Sequence, residues 1–202
     1  MKKIFGVLFT FVLIFSSLLV FASCGGSNGD GGNGGGGNGG ASFEDLELGT
    51  LVDKPNGYVL FENDVATFYQ NSNWLPMDTS NAAGAVDMQT GTSVNAMYEP
   101  LADKEDLTNV EVFDSFISAY KNQMAAQGRT LEKEEEIGGY TVCTYTDGTG
   151  LRCTQAFTSI FDAEEKILYI AFATYTADKM PFEVEVFFNS LVFKAADNPH
   201  FD

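Results

Sequence analysis

The segment YTVCTYTDGTGLRCTQAFTSIFDAEEKILYIAFAT, residues 140–174, decides the fold. Its β-branched and aromatic runs at 140–146, 152–161 and 166–174 read as strands, and only Asp147-Gly148-Thr149-Gly150 and Asp162-Ala163-Glu164-Glu165 separate them. Turns of that length join antiparallel neighbours. A fourth run, 130–136, precedes them across Gly138-Gly139 and extends the meander to four strands. The acidic residues Glu132, Glu134, Glu135 and Glu136 break strict alternation in that run. They suit an exposed edge strand guarded by charge better than a metal site.

Upstream of the meander, Thr108-Asn109-Val110-Glu111 has the form of a capping box, and Gly128 stands where a helix-terminating left-handed residue belongs. Between them Phe113, Phe116, Ile117, Tyr120 and Met124 recur at helical spacing, with Asp114, Ser118, Lys121 and Asn122 on the opposite face. Earlier still, 57–61 and 65–69 flank Asn63-Asp64 as a hairpin, and 85–89 and 93–98 flank Thr90-Gly91-Thr92 as a second. Residues 71–76 read as a turn that delivers Trp74 to a partly buried position. After the meander, 178–191 reads as a closing helix with Pro181 in its first turn and apolar residues around much of its circumference. Strands, helix, meander and helix in that order predict an α+β fold, an antiparallel sheet sandwiched by helices.

Cys143 and Cys153 flank the turn centred on Gly148. A loop with an odd number of residues about that centre sets them directly opposite each other, at roughly 4.5–5.5 Å between Cα atoms, which is disulfide range. The competing expectation is two buried thiols acting as small hydrophobes.

The chain begins with Lys2 and Lys3, an apolar run from Ile4 to Ala22, and then Ser23-Cys24-Gly25-Gly26. This is the layout of a bacterial lipoprotein leader, and it makes 1–23 a signal peptide and Cys24 the lipidated first residue of the mature chain. An uncleaved anchor is the alternative, because nineteen residues at ~1.5 Å each nearly span a bilayer core. Both readings leave the remainder outside the cytoplasm, attached to the cell membrane or outer membrane. Residues 24–41 follow as a flexible, disordered tether, since 25–40 contain only Gly, Ser, Asn and one Asp. Such a linker would hold the domain on the order of 20–25 Å from the bilayer.

Residues 42–202 have the length of one domain. All 28 acidic residues and 9 of the 11 basic ones follow the leader, so the mature chain carries 9 minus 28, or −19. That balance excludes nucleic acid as a partner. His200, the sole histidine, lies beside Pro199 near the chain end, which argues against a histidine-based triad or zinc site. Neither a phosphate-binding Gly-Lys-Ser/Thr loop nor a GxSxG elbow occurs. No cofactor, metal site or catalytic residue is therefore expected. Trp74, Tyr69 and Tyr98 are the candidate contacts for a ligand or partner, as aromatic walls of a pocket.

Several of these positions resemble the PsbP-like domain family. They are the strand 58–61, the opening 68–74, the helix ending Gln127-Gly128, the Ile137-Gly138-Gly139-Tyr140 turn, the strand 166–169 and the closing Phe188-Asn189-Ser190-Leu191-Val192-Phe193. The resemblance implies a compact sandwich that docks on another macromolecule, sometimes with effects on bound ions, and it supplies no catalytic residues. The expected function is that of a non-enzymatic, lipid-anchored domain docking on a protein or envelope component. The alternative is a small-ligand or cation-binding domain, suggested by the acidic balance and the three aromatics.

Overall fold

Thr108 caps the first helix as its spacing requires. The Glu111 N–H donates to Thr108 Oγ1 at 3.3 Å and the Glu111 carboxylate accepts from the Thr108 N–H at 2.9 Å. Helix α1, Asn109–Ala126, ends where Gly128 adopts φ +79° and the Gly128 and Arg129 N–H groups close on the carbonyls of Ala125 and Met124. Phe116, Ile117, Tyr120 and Met124 are buried as expected, while Val112 and Ala119 complete the inward face and Phe113 is only half-buried at its margin. The computed structural model describes residues 53–102, 107–196 and 199. The leader, Cys24, the tether and His200 lie outside the described residues.

After α1 the chain forms β6 (Thr130–Ile137), β7 (Tyr140–Thr146), β8 (Arg152–Asp162) and β9 (Ile167–Tyr175), each antiparallel to the last. Strand β6 is an edge whose register slips at a bulge between Leu131 and Lys133, and the consecutive glutamates beyond it pair regularly with β7 on a strand exposed along nearly its whole length. Its acidic side chains are partnered: Glu134 by Lys121, Glu135 by Lys133 at 2.7 Å, Glu136 by the Thr141 hydroxyl at 2.6 Å.

The other side of β9 pairs with β5 (Ser93–Pro100), which pairs with β4 (Ala82–Val86) and through it with β3 (Leu75–Thr79). The result is a seven-stranded antiparallel sheet in the order β3-β4-β5-β9-β8-β7-β6. Two local expectations change. The second hairpin begins at Ala82 and turns over 87–92, and the chain does not stay in a turn after Asn73 but runs on as β3.

The first hairpin does not join this sheet. Strands β1 (Tyr58–Glu62) and β2 (Ala66–Asn71) pair around Asn63-Asp64, with the Asn63 side chain accepting from the N–H groups of Val65 and Ala66, and β2 then takes β10 (Val192–Phe193) on its other side. Helix α2, Phe182–Ser190, is shorter than the expected 178–191 and has Pro181 as its N-cap. Its C-terminal Ser190 hydroxyl donates to the Val186 carbonyl at 2.7 Å and accepts from the Tyr69 N–H at 2.9 Å. That bond supplies the β2 amide that a two-residue β10 is too short to reach.

The architecture is α+β with antiparallel sheets and two helices among the described residues. Helix α1 covers one face of the large sheet, over Tyr145, Phe157, Leu168, Ile170 and Phe172. The small sheet and α2 cover the other, where Phe61, Phe68, Trp74, Phe187 and Phe188 pack on Val94, Ala96, Tyr169, Ala171 and Ala173. A layer of helix and sheet together thus replaces the second helical layer expected from sequence. Strand β9 is buried along its whole length because its alternating side chains serve both layers.

Candidate docking surface

The two cysteines are close in sequence but not opposed in the sheet. Strands β7 and β8 pair Cys143 with Gln155 and Tyr145 with Cys153, so the hairpin is centred on residue 149 rather than on Gly148. The thiols are diagonal neighbours on one face, a relation that puts Cα atoms roughly 7–8 Å apart and outside disulfide reach. Both are free and buried, which corrects the expected bridge. Burial pushes both above the ordinary thiol pKa, and for Cys153 the nearby Arg129 partly opposes the effect. They are therefore weak nucleophiles. In a thiol titration without reductant, both are expected to react only slowly in the native protein and fully in denaturant; a shortfall of two thiols on unfolding refutes this.

Tyr69, Trp74 and Tyr98 do not converge. Trp74 is in the core between the layers at 7% exposure. Tyr98 packs against Tyr169 at 6.3 Å between ring centroids, at the margin of the same core. Tyr69 follows the inward-facing Phe68 and so faces outward from the small sheet, opposite Leu60. Trp74 and Tyr98 thus belong to the packing of one core and Tyr69 lies on another face, so the three do not wall one pocket.

On the α1 side of the large sheet the core is polar in patches. Gln155, fully buried, donates from Nε2 to the Tyr120 hydroxyl and, at 3.4 Å, to Thr174 Oγ1. Ser93 Oγ, Asn95 Oδ1, Glu99 Oε2 and Gln155 Oε1 are buried on the same side with no protein partner. Desolvation raises the Glu99 carboxyl to about 7 and pushes the Tyr120 and Tyr145 hydroxyls well above their ordinary range. Among the described residues no group of three His, Cys, Asp or Glu side chains is placed to hold a metal ion, and no helix is long and apolar enough to cross a membrane.

The exposed apolar residues have a clearer focus. Val59 and Leu60 on β1 are 41% and 48% exposed, and Phe182 at the start of α2 is 60% exposed, edge-on to Tyr58 at 6.2 Å. Val59 and Leu60 are consecutive on β1 and so project from its opposite faces, and Phe182 meets the Tyr58 end of that strand, beside an edge that no described strand covers. In the sequence these residues mark only a strand and a helix, although the unbroken apolar run Tyr58-Val59-Leu60-Phe61 is a usable signal of exposure, since a strand buried on one face should alternate.

The fold and surface define an α+β domain with two antiparallel sheets and an uncovered apolar strand edge on the smaller one. No family model and no curated protein matches the chain. Among solved structures it is similar to the crystal structure of the Saccharomyces cerevisiae Ran-binding protein Mog1p, at 10% identity and a TM-score of 0.44, over 74% of this chain and 100% of that one.

Proposed function

We infer that this chain is a lipid-anchored domain of the PsbP-like sandwich type that works outside the cytoplasm and docks, without catalysis of its own, on a protein or another envelope component. The observation that carries the docking reading is the uncovered edge of β1, where Val59 and Leu60 are both exposed and Phe182 lies against Tyr58. An apolar strand edge invites pairing unless something occupies it. The anchoring part rests on Lys2, Lys3, the run from Ile4 to Ala22 and the small residues around Cys24. A domain held by a lipid and a glycine-rich tether searches a volume set by the linker, which raises its effective concentration toward a partner in the same envelope.

Mass spectrometry of the mature product is expected to show loss of 1–23 and an acyl-modified Cys24; an intact leader without an acyl group removes the anchoring reading. Affinity capture from intact envelopes with the lipidated protein is expected to recover one partner reproducibly, and to lose it when Leu60 and Phe182 are both replaced by serine. An empty capture together with calorimetric binding of a divalent cation would instead favour a ligand-binding domain.

A further inference from the structure

We propose that the outer edge of β1 accepts an added strand from a partner protein, an extended segment with alternating apolar and basic side chains. This rests on the docking reading above and specifies its mode. The phase of the β1–β2 ladder follows from the bonds beyond its two ends. Ser72 N–H donates to the Gly57 carbonyl at 3.0 Å and Asn63 N–H donates to the Ala66 carbonyl at 3.1 Å. Between them the register pairs Val59 with Gln70 and Phe61 with Phe68. In an antiparallel pair the bonded residues alternate, so Gly57, Val59, Phe61 and Asn63 direct their backbone groups at β2. The Leu60 N–H and carbonyl, the Tyr58 carbonyl and the Glu62 N–H and carbonyl then face the other way, where no described strand lies. Tyr58 N–H is already turned back on the Pro55 carbonyl at 3.3 Å, which marks one end of the open edge.

Edges of this kind template pairing unless they are blocked, and the other edge strands among the described residues are blocked. Strand β6 carries four glutamates and a lysine. Strand β3 carries Pro76, which has no N–H to offer, and Asp78. Strand β10 has two residues. Among the described strands only β1 presents an apolar sequence on an open edge, with Leu60 exposed on its outer face and Val59 on the other.

Charge selects the occupant. Glu62 and Asp64 are exposed at one end of β1, and Glu183 lies close enough to Tyr58 at the other to oppose ionisation of its hydroxyl. Lys194 reaches Glu62 at 2.9 Å and leaves the other two acids to set the sign. The chain as a whole carries −17, which repels a second copy and attracts a segment bearing Lys or Arg. Strand addition gives affinity through the backbone and specificity through alternate side chains.

The test is amide hydrogen exchange of the full chain, alone and with a synthetic peptide alternating lysine and valine as the probe. Alone and dilute, the Leu60 amide is expected to exchange at least tenfold faster than those of Val59 and Phe61. The peptide is expected to slow Leu60 and Glu62 at least tenfold, whereas one alternating glutamate and valine is not. Leu60→Pro removes the outward N–H without touching the β2 ladder and is expected to abolish the protection; Leu60→Lys, which keeps the N–H but repels the lysine peptide, is expected to weaken it. Slow exchange of Leu60 in the dilute free chain overturns the proposal in favour of residues 42–52 occupying the edge. Protection that grows with protein concentration overturns it in favour of a second copy, and no protection by the lysine peptide overturns it outright. A captured partner whose retention ignores Leu60→Pro also overturns strand addition while leaving docking at another surface intact.

Discussion

Replacing Glu99 with glutamine is expected to stabilise the domain at pH 8 and to change it little at pH 4. Glu99 is 3% exposed on β5, its Oε2 has no hydrogen-bond partner, and burial lifts its carboxyl from 4.5 to about 7. The folded state therefore holds this proton more tightly than the unfolded chain does. The stability that neutral Glu99 contributes is complete below the unfolded value, declines as pH rises from about 4.5 to about 7, and is gone above that. The shift corresponds to on the order of 2–3 kcal/mol. Glutamine keeps the shape and cannot ionise. Denaturant unfolding of both proteins at pH 4 and pH 8 checks it, and an equal difference between them at both pH values refutes the assignment. The comparison of two chains also cancels the general repulsion among the other carboxylates.

The second large effect is expected at Gly84. It lies on β4 opposite Asn95, and a Cβ built there meets the Val94 carbonyl oxygen and Asn95 Oδ1, both at 2.7 Å. The asparagine side chain can rotate away, but the Val94 carbonyl belongs to the backbone of the neighbouring strand. Gly84→Ala is therefore expected to cost about 1–3 kcal/mol, more than the gain from a stiffer unfolded chain offsets. Gly148→Ala has open space around its Cβ and serves as the control, expected within about 0.5 kcal/mol of the parent. Equal midpoints for the two variants in chemical denaturation would rule out the close approach at Gly84.

Where the chain carries its own local instructions, sequence and structure agree. Thr108 and Glu111 announce one end of α1 and Gly128 the other, and the four meander strands follow the turns that separate them. The departures arise where partners are distant or the local pattern is ambiguous. Strand β3 has four of five residues exposed and a proline at its second position, so nothing local marks it; pairing with β4 makes it a strand. Strand β10 is two residues long and exists because β2, far away in sequence, is beside it. The cysteine register turned on a single residue. Asp147 accepts from the N–H groups of Thr149 and Leu151, which draws Leu151 into the loop and moves the centre to 149.

The candidate site was less legible than the fold. Composition alone groups Tyr69 with Trp74 and Tyr98 as an aromatic wall, but strand phase decides which way an aromatic points, and Phe68 takes the inward position. Ser93, Asn95 and Glu99 alternate with Val94, Ala96 and Tyr98, a pattern that suggests a wet outer face. That face is the one α1 shares with Met97 and Leu101, so its polar groups are enclosed. The open edge of β1 became visible only with the phase of the β1–β2 ladder.

Pairing of Ala66 with Phe193 joins positions 127 apart, and the Ala196 N–H adds a bond to the Tyr169 hydroxyl at 3.0 Å. A chain that emerges from its amino-terminal end can assemble the hairpin and the meander early. It cannot complete the small sheet until nearly all of it has appeared, because closing so long a loop must precede the contacts that reward it. Until then Phe68 lacks Phe187, its ring neighbour at 5.0 Å. A nascent polypeptide would therefore carry a half-built, sticky layer until Phe193 emerges, and a chaperone that shields β1 and β2 over that interval would meet the need that this late closure creates.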